Sequence, residues 1–194
     1  MHLDRLESSA NYFDFRFDRP TIQSQITATT NQLPSGESYR IKLLLDSSGN
    51  ITLTSEKLSP QSEATKISIR LSPTPTNSTD IFLRHKTTNR EQYNTDYAQA
   101  RADGFDEVIY INERGEVTEG AISNIFIQQS NKLLTPPFTS GVLPGIYRRH
   151  LLETSATAEE RTLTIHNLET AEAIFICNSV RGLRRVTNLS FGSR

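Results

Sequence analysis

The chain has 194 residues, is 35% hydrophobic and 22% charged, and carries a formal net charge of −1 with a mean hydropathy of −0.48. That length can bury a sizeable core, as one large domain or as two small packed lobes. The near balance of charge and the lack of a long Lys/Arg run exclude nucleic acid and anionic membrane surfaces as electrostatically favoured partners.

Leu3, Leu6, Ala10 and Phe13, at spacings of three and four, predict a helix over residues 2–13. A second helix is predicted from Pro20, preceded by Asp18, through Ile22 and Ile26, because proline suits a first helical turn. The period then changes. Residues 38–45 and 51–58 read as two strands around the turn cluster Ser47-Ser48-Gly49-Asn50, and residues 66–71 as a third. Ser72-Pro73-Thr74-Pro75-Thr76-Asn77-Ser78 has no apolar period and reads as a connector, which places a smaller lobe at 1–75 and a larger one at 79–194.

Beyond the connector, residues 89–102 read as a helix with Tyr93, Tyr97 and Ala100 on one face. Residues 107–111 and 122–128 read as strands, with a turn at Asn112-Glu113-Arg114-Gly115. Pro136-Pro137 ends a short strand, and Leu143-Pro144-Gly145 leads into a helix carrying Ile146, Leu151 and Leu152. A strand at 161–165, a short helix near Leu168 and an apolar strand at 173–177 complete the order. Alternating strands and helices without internal repeats predict an α+β architecture in two lobes. Dinucleotide and phosphate-loop glycine signatures do not occur in the sequence.

The start of the sequence has no apolar signal-type core, and no stretch approaches the ~18 apolar residues of a membrane span, so a cytoplasmic protein is expected. The single cysteine, Cys177, ends the apolar run Ile174-Phe175-Ile176 and reads as a small buried side chain.

Three segments are unlike routine packing. Arg84-His85-Lys86-Thr87-Thr88-Asn89-Arg90 crowds polar residues at a predicted helix start, which alone describes an ordinary capped terminus. Val117-Thr118-Glu119-Gly120-Ala121-Ile122-Ser123-Asn124-Ile125-Phe126 sets an acid beside small residues just before a strand, which alone describes a loop-to-strand junction. Gly141-Val142-Leu143-Pro144-Gly145-Ile146-Tyr147-Arg148 is a glycine-bounded loop opening a helix, where free N–H groups and the helix dipole suit a phosphate, although many such helix starts bind nothing.

In this order, and together with His2-Leu3-Asp4-Arg5-Leu6-Glu7-Ser8-Ser9-Ala10 and Thr135-Pro136-Pro137, these segments resemble the fold-type-IV pyridoxal-phosphate enzymes. That group holds the branched-chain and D-amino-acid aminotransferases and 4-amino-4-deoxychorismate lyase. The resemblance implies a two-lobed fold of the D-amino-acid aminotransferase type. The family carries a further segment before the His2–Arg5 motif, so the N-terminal lobe is expected to be truncated. The cofactor implied is pyridoxal 5′-phosphate, with Lys86 as Schiff-base lysine and proton-transfer group and Glu119 facing the pyridine nitrogen. Arg5 and the backbone N–H groups of Ile146 and Tyr147, after Gly145, are expected to hold the phosphate. Ser123, Asn124, Asn178 and Ser179 are expected close by, and Tyr93 is a weaker cofactor contact.

These roles agree with elementary chemistry. A lysine amine attacks an aldehyde only when neutral, so its site must bring its pKa down from about 10.4. A carboxylate beside the pyridine nitrogen keeps that nitrogen protonated and the ring electron-accepting. Arginine matches a phosphate with two parallel hydrogen bonds.

Within the group, His85-Lys86-Thr87-Thr88-Asn89-Arg90 and Ile176-Cys177-Asn178-Ser179-Val180-Arg181-Gly182-Leu183 look most like aminodeoxychorismate lyase, including the lyase module fused behind aminodeoxychorismate synthase. The implied reaction converts 4-amino-4-deoxychorismate to 4-aminobenzoate and pyruvate, a step of folate biosynthesis, with Arg181 or Arg184 pairing a substrate carboxylate. Two alternatives stand beside it: a branched-chain or D-amino-acid aminotransferase, and a truncated non-catalytic remnant or assembly module. A homodimer is expected by resemblance, with a functional link to the synthase.

Overall fold

A computed structural model describes residues 1–60 and 66–191, and the chain divides into two compact units, Met1–Thr65 and Lys66–Arg194. The first unit opens with helix α1 (His2–Tyr12), which buries Ser9 and Ala10. Helix α2 (Arg19–Asn31) begins where the Asp18 side chain caps it: its carboxylate accepts from the Thr21 hydroxyl at 2.6 Å, and Pro20 fills the first turn. Arg19 reaches back to Asp4 at 2.9 Å and Glu7 at 2.5 Å, and so ties α2 to α1. Strands β1 (Tyr39–Leu45) and β2 (Ile51–Lys57) pair antiparallel, from Tyr39 opposite Lys57 to Leu45 opposite Ile51. The Asp46 carboxylate closes their turn by accepting from the Ser48 and Asn50 N–H groups, both at 2.9 Å, and Gly49 takes φ +89°.

The second unit is built on a mixed sheet of nine strands among the described residues. They are β3 (Ser68–Leu71), β4 (Glu107–Ile111), β5 (Val117–Gly120), β6 (Asn124–Gln129), β7 (Lys132–Thr135), β8 (Ala158–Glu160), β9 (Ala173–Asn178), β10 (Gly182–Arg185) and β11 (Asn188–Ser190). The main order is β10-β9-β6-β5-β4-β3-β11; β7 pairs with β6, and β8 runs parallel to β7. Residues 107–110 of β4 are all buried, as expected of a strand covered on both faces.

One face buries Ile69, Ile109, Val117, Ile125, Ile127, Leu134 and Ile176 with Leu163 and Leu168. Each full burial of a side chain of this size contributes roughly 1.5–3 kcal/mol. On the other face, helix α3 (Glu91–Ala102) packs Tyr93 and Ala100 on Val108 and Tyr110, with Tyr97 beside them. The i, i+4, i+7 spacing of those three residues puts them on one stripe. The Tyr93 and Tyr110 rings stack at 4.2 Å. Cys177 is buried at 1% exposure, and burial pushes its thiol up to about 12, in keeping with an inert core side chain.

Three expectations shift. The third strand, β3, expected in the first lobe, is the parallel neighbour of β4 and of β11 in the second unit. The strand expected at 161–165 lies earlier, as β8. The Asn167 side chain accepts from the Thr164 N–H at 2.8 Å, ending the extended run and opening helix α5 (Ile165–Thr170). The helix expected over residues 89–102 starts at Glu91 as α3, after a 3₁₀ turn at Ile81–Leu83, and Lys86 lies between the two. Among the described residues, no helix is long and apolar enough to cross a membrane.

Candidate active site

The site grows from the β5–β6 hairpin. Gly120 N–H donates to Ser123 O at 2.7 Å, a tight closure that sets Glu119 directly across from Asn124. Glu119 is 5% exposed and Asn124 6%. Asn124 Nδ2 donates to Glu119 Oε2 at 3.2 Å and to Leu143 O at 3.0 Å, while Leu143 N–H donates to the same Glu119 oxygen at 3.0 Å. The pair therefore grips both polar groups of Leu143, in the loop just before helix α4 (Ile146–Thr154). Tyr93 Oη donates to Glu119 Oε1 at 3.5 Å, a long contact that brings α3 to the same carboxylate.

Burial dominates the chemistry of Glu119 and raises its carboxyl from the ordinary 4.5 to about 8. The Leu143 N–H and the charges of Lys86 and Arg90 work against that rise, and Glu107 adds to it. Burial also raises the Tyr93 phenol, with Glu119 and Tyr110 adding to the effect. Lys86 itself is exposed, in the segment between the 3₁₀ turn and α3. Arg90 lies 5.4 Å from the Tyr93 ring centroid and donates to the Ala121 carbonyl.

Gly145 is the N-cap of α4, with no side-chain cap. The N–H groups of the first helical turn, including those of Ile146 and Tyr147, have no intrahelical carbonyl to bond and point along the positive end of the dipole. Gly145 has no room for a side chain, because a Cβ there would lie 1.9 Å from Asn124 Oδ1. Gly145→Ala is thus expected to displace Asn124 and with it the Leu143 loop, lowering the stability of the cofactor-free protein by roughly 1–3 kcal/mol; thermal melting checks this.

The other expected site residues are distributed as follows. Asn178 ends β9 and organises the turn into β10: its Oδ1 accepts from the N–H groups of Val180 at 3.0 Å and Arg181 at 2.9 Å. Its Nδ2 donates to the Ile122 carbonyl at 3.3 Å, which links this turn to the β5–β6 hairpin. Ser179 is exposed in the same turn. Tyr147 approaches Gly182, where an added Cβ would sit 3.4 Å from the phenol oxygen. Arg184 on β10 is partly buried, and burial followed by the charge of Arg181 lowers its pKa. Ser123 points away from Glu119, with its hydroxyl donating to Glu107 Oε2 at 2.7 Å. Arg5 lies on α1, in the first unit.

Sequence reasoning missed the grip on Leu143, the position of Arg90 and the buried acid Glu107. Only the last left a signal: a carboxylate heading the apolar run Val108-Ile109-Tyr110.

The amino-transferase class IV profile matches residues 1–189, and the chain belongs to that family. Enzymes of the family work with pyridoxal 5′-phosphate. A Thermotoga maritima protein, provisionally named a branched-chain-amino-acid aminotransferase, is 29% identical over 208 residues, covering 98% of this chain and 72% of its own length. The crystal structure of a Mesorhizobium loti protein, provisionally described as an amino-acid aminotransferase, superposes with a TM-score of 0.89 at 32% identity, over 96% of this chain and 89% of that one. A Legionella pneumophila structure, provisionally described as a 4-amino-4-deoxychorismate lyase, superposes with a TM-score of 0.79 at 24% identity over 97% and 76%, and shares the fold.

The buried donors and acceptors fit the family's cofactor. Glu119 is a carboxyl held out of water, and a cationic N–H partner would offset the cost of charging it there. Gly145 brings no side-chain cap to α4, so the first-turn N–H groups are donors suited to an anion.

Proposed function

We propose that the second unit, residues 66–194, forms the catalytic lobe of a pyridoxal 5′-phosphate enzyme, with Lys86 as the attachment lysine and Glu119 as the partner of the pyridine nitrogen. The observation that carries this is the buried Glu119 carboxyl, held by Asn124 and Leu143 within reach of the charges of Lys86 and Arg90. The first-turn N–H groups of Ile146 and Tyr147, with Asn178 and Ser179 at the neighbouring turn, are assigned to the phosphate. When bound, the cofactor supplies an electron-accepting ring that stabilises charge left on the substrate carbon after proton removal.

The reaction we assign is the lyase one: 4-amino-4-deoxychorismate to 4-aminobenzoate and pyruvate. Lys86 removes the proton from the ring carbon bearing the nitrogen; the ether C–O bond then breaks, and the ring becomes aromatic. Glu119 keeps the opposite end of the site protonated, while the Asn124 amide and the Leu143 N–H hold that carboxyl in place. Arg181 and Arg184 are the candidates for a substrate carboxylate. Support comes from the segments around Lys86 and Asn178, which resemble the lyase. An amino-acid aminotransferase is the second reading, favoured by the higher identity to the Thermotoga and Mesorhizobium proteins.

Two assays separate them. With cofactor present, aminodeoxychorismate is expected to give 4-aminobenzoate, and a branched-chain amino acid with 2-oxoglutarate is expected to give no keto acid. The reverse result assigns the protein as an aminotransferase. A protein that takes up no cofactor and stays colourless removes both.

A further inference from the structure

Glu107 is a second buried acid beside the site, and nothing in the proposed reaction uses it. It is 1% exposed at the head of β4. Its Oε1 accepts from the Val108 N–H at 3.0 Å. Its Oε2 accepts from the Ser123 hydroxyl at 2.7 Å and the Ile122 N–H at 3.3 Å. Two of these partners are backbone N–H groups that can only donate, one on each carboxylate oxygen, so the pocket is built for a group that accepts at both ends. A glutamine of the same size would turn its NH₂ against one of them and leave a buried donor unpaired.

What those bonds hold is the Gly120–Ser123 turn, which closes the hairpin and places Glu119 opposite Asn124. The packing leaves no slack: a Cβ on Gly120 would lie 2.5 Å from Ser123 Oγ and 2.9 Å from Glu107 Oε2. Arg90 and Asn178 grip the same turn through the carbonyls of Ala121 and Ile122, so the turn is fastened from β4, from the start of α3 and from the end of β9. Glu107 is the fastener that no solvent reaches.

We propose that Glu107 is a positioning residue, which acts on the cofactor site through Ser123 and Ile122 by fixing the hairpin turn that aims Glu119. The proposal rests on the assignment of Glu119 to the pyridine nitrogen. Its titratable and charged neighbours are Tyr97 on α3, Tyr110 on its own strand, Glu119 on β5 and Arg184 on β10. Burial raises the Glu107 carboxyl to about 7 against the pull of its donors, so its charge is expected to change within the neutral range. A protonated Glu107 loses one acceptor in the same way as glutamine does.

The test titrates cofactor-free protein with pyridoxal 5′-phosphate and follows the visible absorbance across the neutral pH range, for Glu107→Gln, Ser123→Ala, Glu119→Gln and the core control Ile127→Val. Glu107→Gln is expected to weaken cofactor affinity by about tenfold, the cost of one unpaired buried donor. It should also displace the pH midpoint of the bound band, with Ser123→Ala moving both in the same direction and by less. Adding Ser123→Ala to Glu107→Gln should cost less than the sum of the two. Ile127→Val should lower the melting temperature and leave affinity and midpoint unchanged.

If Glu107→Gln lowers only the melting temperature, as the control does, the positioning role is wrong. If Glu107→Gln does not fold, Ser123→Ala decides the matter, and unchanged affinity and midpoint there overturn the proposal. If Glu119→Gln leaves the band and its midpoint untouched, the fault lies with the assignment of Glu119 and not with Glu107.

Discussion

Lys86→Ala is expected to fold normally and to lose turnover by at least ~10²–10⁴-fold, the contribution of a positioned proton-transfer group alone, with further loss from the missing attachment. The reasoning combines location and chemistry. Lys86 is exposed and lies outside the regular elements, so truncating it removes little packing and the melting temperature of the cofactor-free protein should hardly change. The neighbouring side chains Arg84 and Arg90 do not substitute for it, because a guanidinium carries donors only and offers no free amine to attack an aldehyde. Borohydride reduction followed by mass spectrometry is the direct check. Wild-type protein should retain the cofactor on the peptide containing Lys86, and the variant should retain none. Retention in the variant would mean that another lysine carries the group.

Glu119→Gln has two expected consequences of opposite sign. Turnover should fall on the order of 10²-fold or more, because a neutral amide no longer stabilises charge at the far end of the site. Stability of the cofactor-free protein at alkaline pH should rise. Burial raises the Glu119 carboxyl from 4.5 to about 8, so between those values the folded chain holds a proton that the unfolded chain has lost. Its contribution to stability is complete below about 4.5 and is lost as the pH climbs through about 8. The melting temperature of the cofactor-free wild type should therefore fall across this window, by the equivalent of a few kcal/mol at most on the order-of-magnitude scale of about 1.4 kcal/mol per pKa unit. The glutamine variant should be flatter and keep the part due to Glu107, which ends near 7. Cofactor should flatten the wild-type curve as well, since a cationic partner at Glu119 pulls the carboxyl down again. Melting curves across pH, with and without cofactor, measure all three slopes.

The sequence disclosed those parts of the molecule whose causes are local. The α1 stripe, the Asp18–Pro20 start of α2, the Ser47–Asn50 turn and the Tyr93–Tyr97–Ala100 face of α3 are each determined by neighbours within a few residues, and each forms as the pattern predicts. Where pairing is decided from afar, the pattern was silent or misleading. β8, β10 and β11 are three- or four-residue strands defined by their partners rather than by alternation. The displaced strand at 161–165 shows a local cap, Thr164 with Asn167, prevailing over a run that reads as extended. In the site, residue types and order were legible because Glu119 and Asn124 sit in one hairpin. Their common grip on Leu143 was not, since it depends on a loop 24 and 19 residues further on. Tyr93 shows the packing on Tyr110 that its helical face predicts, and its hydroxyl also reaches Glu119.

The parallel pairing of β11 with β3 bears on how the second unit is assembled during synthesis. Ser68 and Asn188 stand side by side although 120 residues separate them along the chain. Until residue 188 has left the ribosome, the outer edge of β3 has no strand to meet, and its N–H and C=O groups are open to any extended segment nearby. So distant a contact is reached only after a costly loop closure, which favours slow completion of the sheet and a window in which nascent chains can pair with one another. Chains interrupted before residue 188 should therefore be the aggregating species in expression cultures, whatever the stability of the finished protein.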